Sequence, residues 1–396
     1  MFPWILSGAP SSRGIGVDLG NARLKIACTT DKLLVGHSVV AEAFGVYRST
    51  TDDFSFGADD DDEAAPCSIG VLLSDTAPPL TQRAVQSLLR SAETTMGAGA
   101  LPALTVVAVH PNYWSHPTTG ALLMTVASWR GAATSGHDDS LWTPTQLGNV
   151  LLVPQGTAQC AAYLAQKSFE PSVIRKTVVF IDVGDRFSTA TVCLVGPMYK
   201  ASVVKNNICV ACGTGNIVDL CLQGMTPAVP DNARVRHLTR RVVQNAHSAH
   251  YSMVSALPPV VIGGTQHTIP TRALEQGLQS LKKGVRALMK DTKQYVEENC
   301  AMWEEVAVVA SGGGMRLPEV LEIVSPTTTM DETFIAFGAA VLSSVVGNEC
   351  ALLDPFAIDP FRLYSTFEEM KASVQGRGDK AAKGNTESQT RSMSVL

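Results

Sequence analysis

Two short segments of this chain, about 160 residues apart, repeat one pattern, and this repeat limits the folds that the chain can adopt. The first segment reads GVDLG at residues 16–20, and the second reads FIDVG at residues 180–184. Each places an apolar β-type run before an aspartate and a glycine turn, and a second β-type run follows, so each predicts a β-hairpin. The spacing is far longer than the period of a solenoid repeat, and it therefore predicts two related lobes.

Strands and helices alternate along the rest of the chain. Further strands are predicted at residues 104–109, 149–153, 177–183, 190–195 and 305–310. Helices are predicted at residues 80–96, 117–129, 157–166, 232–250, 271–299, 318–324 and 331–346. This alternation is typical of α/β proteins, in which helices flank a sheet. Together with the repeated hairpin, it predicts two related lobes, each with a sheet flanked by helices.

The composition of the chain excludes some classes of function. The chain has 396 residues, 45% hydrophobic and 17% charged, so it can bury the core of a globular protein. Its net charge of -5 gives no positive electrostatic field that would attract the phosphate backbone of a nucleic acid. We therefore expect no nucleic-acid partner. No apolar run reaches the roughly 20 residues of a membrane span, and no basic start precedes a signal-peptide core. We therefore expect no membrane partner and a cytoplasmic location.

The repeat and the local composition set the expected domain boundaries. The acidic cluster at residues 59–63 lies among Ser, Gly and Ala, which bury little apolar surface, so a mobile loop is expected there. The expected division is an N-terminal extension at 1–13, lobe I at 14–175 with the mobile acidic loop at 50–66, lobe II at 176–350 with a helical subdomain at 230–300, a linker-like segment at 351–366 and a disordered tail at 367–396.

The turns after Asp18 and Asp182 have the chemistry of phosphate-binding turns. Small turn residues let backbone N–H groups approach an anion closely. A carboxylate at each turn can position a hydrated magnesium ion, because magnesium keeps several waters and takes few protein oxygens directly. A third glycine turn follows at residues 312–314. The three turns together predict a site for a nucleotide and its metal ion.

With these turns in place, the sequence resembles a known superfamily. Its segments at 16–27, 153–164, 179–192, 308–318 and 331–342 follow the order of phosphate turn, connector, second phosphate turn, adenosine segment and closing connector in the actin, hexokinase and heat-shock-chaperone ATPases. The chain is most similar to the nucleotide-binding domain of the 70-kDa heat-shock family. That similarity is carried by TAQCAAY at 157–163, GGMRLP at 313–318 and AFGAAV at 336–341, and the resemblance spans roughly residues 14–355.

The resemblance implies the two-lobed actin-like ATPase fold, an α/β architecture with duplicated mixed-sheet domains around a central nucleotide cleft. It implies ATP or ADP as ligand, with Asp18 and Asp182 holding magnesium through water, and loss of these cofactors is the alternative. The residues that match the family's nucleotide contacts are Gly20, Asn21, Ala22, Arg23, Gly184, Asp185, Arg186, Gly213, Gln244, His247, Gly312, Gly313, Gly314 and Arg316.

The chain departs from the family where phosphate is bound and hydrolysed. Residues 21–23 read NAR in place of two threonines, and residues 185–187 read DRF in place of glycines and a threonine. Asp185 would put a negative charge near phosphate. The connector's glutamate is replaced by Gln155, which cannot act as a base. In the acidic segment ending at Pro66, where the resemblance places an essential lysine, no basic residue occurs. We therefore expect weak or absent hydrolysis.

These departures favour a divergent heat-shock-type protein that is a regulatory or scaffolding partner in protein folding. Its expected partners are a co-chaperone or the translation machinery. The peptide-binding domain of the family has no counterpart after the linker-like segment, so we do not expect the chain to clamp unfolded peptides. Two alternatives stay open. One is an active ATPase whose phosphate site is rebuilt by Arg23 and Arg186, since guanidinium groups pair with phosphate. The other is an actin-related structural protein.

One basic group lies on the helix predicted at 232–250. Its members are Arg234, Arg236, Arg240 and Arg241. Charged residues on one helix commonly form a solvated face, and this is the interpretation adopted, with binding to an acidic partner as the alternative.

Overall fold

The structure is a computed structural model that describes residues 14–29, 35–42, 44–48, 53–56, 65–68, 105–110, 146–147, 150–166, 176–195, 201–231, 233–248 and 257–346. These residues form a mixed α/β structure with mixed sheets, in agreement with the predicted alternation. The helices predicted at 80–96 and 117–129, the N-terminal extension, the linker-like segment and the tail lie outside the described residues. Among the helices that are described, none has the length and apolar character needed to cross a bilayer.

The described elements are numbered in chain order. The strands are β1 (Ile15–Leu19), β2 (Arg23–Thr29), β3 (Val35–Glu42), β4 (Phe44–Arg48), β5 (Asp53–Phe56), β6 (Ala65–Ser68), β7 (Thr105–Val109), β8 (Gln146–Leu147), β9 (Val150–Pro154), β10 (Lys176–Val183), β11 (Ser188–Val195), β12 (Ala201–Val210), β13 (Val260–Ile262), β14 (Thr265–His267), β15 (Ala307–Ser311) and β16 (Thr328–Thr329). The helices are α1 (Gln155–Gln166), α2 (Gly215–Gly224), α3 (Ala233–Ser248), α4 (Thr271–Asn299), α5 (Pro318–Val324) and α6 (Phe334–Val346).

The two larger sheets share one pairing pattern. The first has the order β3-β2-β1-β7-β9-β8, and the second has the order β12-β11-β10-β15-β16. Strands β3, β2 and β1 are antiparallel, and β7 and β9 continue parallel to β1. Strands β12, β11 and β10 are likewise antiparallel, and β15 and β16 continue parallel to β10. Strands β1 and β10, which enter the two matched hairpins, therefore hold equivalent positions.

This equivalence places the two aspartates at matching points. Asp18 is the second-last residue of β1 and lies opposite Lys25 of β2. Asp182 is the second-last residue of β10 and lies opposite Thr189 of β11, with Ser311 of β15 on its other side. In sheets with parallel central strands, ligands commonly bind beyond the carboxyl ends of the strands. Both aspartates lie at such an end.

Helices α1 and α6 pack together in a core that also receives side chains from both sheets. The ring of Phe180 on β10 meets Tyr163 of α1 edge-on, with 5.7 Å between ring centroids, and lies 6.3 Å from the ring of Phe334. The helices approach so closely that a Cβ atom on Gly338 would lie 1.8 Å from the carbonyl oxygen of Ala158. Position 338 therefore has no room for a side chain.

A second core covers the other face of the second sheet and is formed with α2, α3, α4 and α5. Helix α4 buries a stripe of residues at helical spacing, namely Leu274, Leu278, Leu281, Val285, Leu288 and Val296. The same spacing is visible in the sequence. The bounds predicted for α4 and α5 are confirmed.

Several features differ from the sequence prediction. Segment 50–66, expected to be a loop throughout, contains β5 and the start of β6, which flank β4 in a three-stranded sheet. Phe54 and Phe56 alternate with polar residues, which is the period of a strand, but the acidic cluster that follows hides this short pattern. Strand β12 and helix α2 are absent from the prediction.

Candidate functional site

The three predicted turns meet at one cavity of about 400 Å³, within the roughly 300–1,000 Å³ that is usual for small-molecule sites. The lining residues that the sequence analysis named are Asp18, Gly20, Asn21, Ala22, Arg23, Gln155, Asp182, Gly184, Asp185, Arg186, Gln244, Gly312, Gly313 and Arg316. The described structure thus brings most of the predicted site residues to one place, although they come from distant parts of the chain.

Three of the named residues are placed differently. Gly213 packs behind the second hairpin turn, where a Cβ atom would lie 2.3 Å from the carbonyl oxygen of Asp185. Gly314 packs against Val183, with 2.3 Å between its Cβ position and Val183 Cγ1. These two glycines therefore allow the turns to pack. His247 belongs to α3, and its side chain lies outside the described part of the structure.

The second hairpin turn is tied to the start of α2. The N–H of Gly184 donates to the carbonyl oxygen of Phe187 at 2.9 Å and closes the turn. The N–H of Thr214 donates to the carbonyl oxygen of Gly184 at 3.0 Å, and that of Gly215 donates to Asp185 at 2.7 Å. These N–H groups at the beginning of α2 are consequently used within the protein and do not point at a ligand.

The third turn presents one glycine to the cavity. Gly312 has φ of 94°, and a Cβ atom there would lie 2.5 Å from the carbonyl oxygen of Val183, so this position requires glycine. A Cβ atom on the neighbouring Gly313 would meet nothing within 4 Å, and Gly313 lines the cavity. The backbone at Gly313 is therefore open to close approach by a ligand.

Asp182 is buried and held by two neutral donors. Gln155 Nε2 donates to its Oδ2 at 3.0 Å, and Ser311 Oγ donates to its Oδ1 at 3.0 Å. Burial raises the pKa of Asp182, Lys25 lowers it, and the charge of Asp18 adds to the rise. Gln155, where the resemblance expects a catalytic glutamate, is thus a hydrogen-bond donor that fixes Asp182.

Lys25 was not among the predicted site residues, yet its ammonium lies in the cleft. Lys25 Nζ donates to Asp18 Oδ2 at 2.8 Å, and the Lys25 side chain is 16% exposed. Burial disfavours the charged lysine, but the nearby carboxylates of Asp18, Asp182 and Glu332 outweigh it and raise the pKa of Lys25. The lysine therefore stays charged at neutral pH.

A polar bridge joins the two hairpin turns. Asn21 Nδ2 of the first turn donates to Asp185 Oδ2 of the second. Arg240 Nη2 donates to both carboxylate oxygens of Asp185, at 3.0 and 3.1 Å. The Arg240 side chain is 19% exposed, so its interpretation as part of a solvated face is wrong, whereas Arg236 pairs at the surface with Asp231. Arg240 faces the cleft because Asp185 attracts it.

A second bridge links the first hairpin to the segment before α6. Arg23 Nη1 lies 2.5 Å from Glu332 Oε2, and Arg316 Nη2 lies 2.9 Å from Glu332 Oε1. Arg23 was expected to be available to phosphate. In this structure its guanidinium is engaged by Glu332, while Arg186 remains exposed at the cavity.

One wall of the cavity is aromatic. The ring of His110, at the end of β7, stacks on Phe187 of the second turn with 4.8 Å between ring centroids and 22° between ring planes. Burial lowers the pKa of His110 to about 4, so the imidazole is neutral at physiological pH. This wall offers an apolar surface to a ligand.

The residues fit a nucleotide better than a divalent cation. The cavity has an aromatic wall, an open backbone at Gly313 and the guanidinium of Arg316 at its rim. A divalent cation at Asp18 and Asp182 would be repelled by the ammonium of Lys25, which already neutralises part of their charge. No group of three or more His, Cys, Asp or Glu side chains in the described ranges is placed to hold a metal ion.

Sequence signals exist for some of the residues that were missed. Lys25 lies two positions after Arg23 on β2, so both side chains belong to one face of that strand. Arg240 lies four positions before Gln244 on α3, so the two share one face of that helix. Glu332 lies between β16 and α6, and no local pattern marks it as a site residue.

Family models and curated proteins provide no relative of this chain. No protein-family model matches the sequence, and no curated protein matches it significantly. The functional interpretation therefore depends on the geometry of the site and on the motifs in the sequence.

Proposed function

We propose that this chain has the two-lobed actin-like ATPase fold and is a divergent protein of the 70-kDa heat-shock type. In this proposal it binds an adenine nucleotide in the cavity with weak or absent hydrolysis. It acts as a regulatory or scaffolding partner in protein folding, together with a co-chaperone or the translation machinery.

The shared pairing pattern of the two larger sheets supports the fold part of the proposal. Each sheet contains an antiparallel hairpin in which an aspartate near the end of the first strand is followed by a glycine turn. Each sheet then continues with parallel strands. Helices α1 and α6, which carry the TAQCAAY and AFGAAV motifs, pack in the core that receives both sheets. A duplicated fold with its ligand between the repeats would bring these features together.

One observation carries the proposal of weak or absent hydrolysis: among the described residues, all four carboxylates that line the cavity already have donors. Lys25 holds Asp18, and Gln155 and Ser311 hold Asp182. The other two are Asp185, held by Asn21 and Arg240, and Glu332, held by Arg23 and Arg316. A general base must accept a proton from the attacking water, and a carboxylate whose oxygens already accept hydrogen bonds from cations or from fixed neutral donors is a poor acceptor.

The role in protein folding is supported by the motifs alone. The TAQCAAY, GGMRLP and AFGAAV segments are those that separate the 70-kDa heat-shock family from other actin-like proteins in the resemblance. Addition of the purified chain to a 70-kDa chaperone system should change the rate of client refolding. An unchanged rate, together with filaments in a sedimentation assay, would favour the actin-related alternative.

Calorimetric titration with ADP and with ATP tests the nucleotide part, alongside a phosphate-release assay on the same sample. We expect heat of binding and phosphate release at background. Gly313→Leu is the blocking variant, because Gly313 lines the cavity and a Cβ atom there would meet nothing within 4 Å, so the added side chain should abolish binding and keep the melting temperature.

Two results would count against this part of the proposal. Phosphate release that Asp182→Asn abolishes would identify an active ATPase. Binding that survives in Gly313→Leu would place the nucleotide elsewhere.

A further inference from the structure

Lys25 occupies a special position in the first hairpin. It lies opposite Asp18 in the β1–β2 register, so both side chains project from the same face of the hairpin. Its ammonium is 2.8 Å from Asp18 Oδ2 and 3.5 Å from the point where a Cβ atom on Gly20 would lie. The positive charge therefore sits beside the first turn, where the side chain is largely shielded from water.

The second hairpin has no equivalent of this lysine. The residue opposite Asp182 is Thr189, which brings no charge. Asp182 instead lines the same cavity as Lys25 of the first hairpin, whose charge counteracts the rise in the pKa of Asp182. The ammonium of Lys25 thus pairs with Asp18 and also acts on the charge of Asp182 from the opposite hairpin.

The chemistry of an ammonium explains what this charge can do. It is a compact cation with three hydrogen-bond donors and no acceptor, and lysines bind phosphate as point charges in many proteins. Asp18 uses one donor in this structure. The remaining donors can face Asp182 and an anionic ligand, which are the partners that a hydrated magnesium ion would otherwise bridge.

We propose that Lys25 takes the place of the divalent cation in this cleft, so that the chain binds its anionic ligand without magnesium. This inference deepens the proposed function and, for the ligand itself, rests on it. The ammonium neutralises Asp18 and Asp182 and presents a positive charge to phosphate. A divalent cation is excluded as long as the lysine is there, because the two positive charges would repel each other.

Manganese binding, followed through the electron paramagnetic resonance signal of the free ion, tests the exclusion without any nucleotide. Wild-type protein should leave the signal of added Mn²⁺ unchanged. Lys25→Met removes the charge and keeps an unbranched side chain, so the two carboxylates should then bind Mn²⁺ and reduce the signal. Adding Asp18→Asn to Lys25→Met should abolish this binding.

Two further variants keep the test decisive. Lys25→Gln retains a donor for Asp18 and should also gain Mn²⁺ binding, which covers the case that methionine prevents folding. Lys205→Met is the matched control, since Lys205 lies on β12 with its ammonium 5.6 Å from the ring centroid of Tyr295, and it should gain nothing. Mn²⁺ binding to the wild type that Asp18→Asn removes would overturn the proposal, and so would a folded Lys25 variant that binds no Mn²⁺.

Titration with ADP forms the second arm. The affinity of the wild type should be the same in magnesium and in a chelator, whereas that of Lys25→Met should fall about tenfold or more when magnesium is removed. A wild type that needs magnesium would overturn the proposal. A wild type that binds no ADP in either condition would contradict the proposed function, while the Mn²⁺ arm would still decide the role of Lys25.

Discussion

Replacing Gln155 by glutamate restores the side chain that the resemblance expects in the connector, and the structure predicts that the protein will tolerate it poorly. Gln155 is 7% exposed, and its Nε2 donates to Asp182 Oδ2 at 3.0 Å. Gln155→Glu replaces this donor by a second carboxylate. Lys25 already serves Asp18 and Asp182, so three carboxylates would share one ammonium.

Coulomb's law gives the size of the destabilisation expected for Gln155→Glu. Two unit charges about 4 Å apart repel by about 4 kcal/mol at an effective dielectric constant of about 20. This repulsion corresponds to a pKa increase of about 3 units, from an ordinary glutamate value of about 4.3 to about 7. Because the folded-state pKa is raised above the unfolded value, the variant keeps its stability below about pH 4.3 and loses up to about 4 kcal/mol as the pH rises to about 7.

Urea denaturation at a series of pH values measures this loss. Gln155→Met is the matched control, because it removes the same hydrogen bond without adding a charge, and its loss of about 1–3 kcal/mol should not depend on this pair's titration. The pH-dependent difference between the two variants isolates the repulsion. Equal losses for Gln155→Glu and Gln155→Met at every pH would refute the geometry assigned to Gln155 and Asp182.

Three other perturbations have defined outcomes. Gly312→Ala should lower the free energy of unfolding by about 3 kcal/mol, because alanine would be strained at this positive φ and its Cβ atom would clash with a backbone carbonyl oxygen. Gly313→Ala should change the free energy of unfolding by less than about 0.5 kcal/mol, because its Cβ atom would meet nothing. Gly338→Ala should lower the free energy of unfolding by about 3 kcal/mol or more, because α1 and α6 must separate, and a thermal melt equal to that of Gly313→Ala would contradict the helix contact. His110 has a folded-state pKa of about 4, below its unfolded value of about 6.5, so its contribution to stability should be lost as the pH falls from about 6.5 to about 4. His110→Phe keeps the ring and removes the titration, so its stability should vary less over that range, and an identical pH profile in the two proteins would show that His110 is not buried as a neutral group.

The fold could be predicted where a single pattern governs one element. The apolar spacing of α4 gives its bounds directly, and the proline at the start of α5 marks that helix. Strand β12 was missed because its polar run KNN at residues 205–207 interrupts the apolar pattern of an edge strand. Helix α2 was missed because glycines flank it and no side chain caps its N-terminus, although Ile217, Val218, Cys221 and Leu222 have helical spacing.

The site was predictable turn by turn but not across the cleft. The glycine turns and their aspartates are local signals, and the structure brings them to one cavity. The ion pair between Arg23 and Glu332 joins residues that are 309 positions apart, and the hydrogen bond between Asn21 and Asp185 joins residues 164 positions apart. No local pattern specifies such pairs, because they depend on how segments that are distant in sequence approach each other in the fold.

These pairings bear on how the cleft is stabilised. A buried carboxylate without a partner costs several kcal/mol, so a site whose charges are meant to be neutralised by a ligand depends on that ligand. In this cleft Asp18, Asp182 and Asp185 are each neutralised or hydrogen-bonded by residues of the chain itself. An anionic ligand would therefore compete with these carboxylates for the cationic side chains of the cleft, which would lower its affinity. This arrangement supports the proposal that the chain is a scaffolding partner with weak or absent hydrolysis.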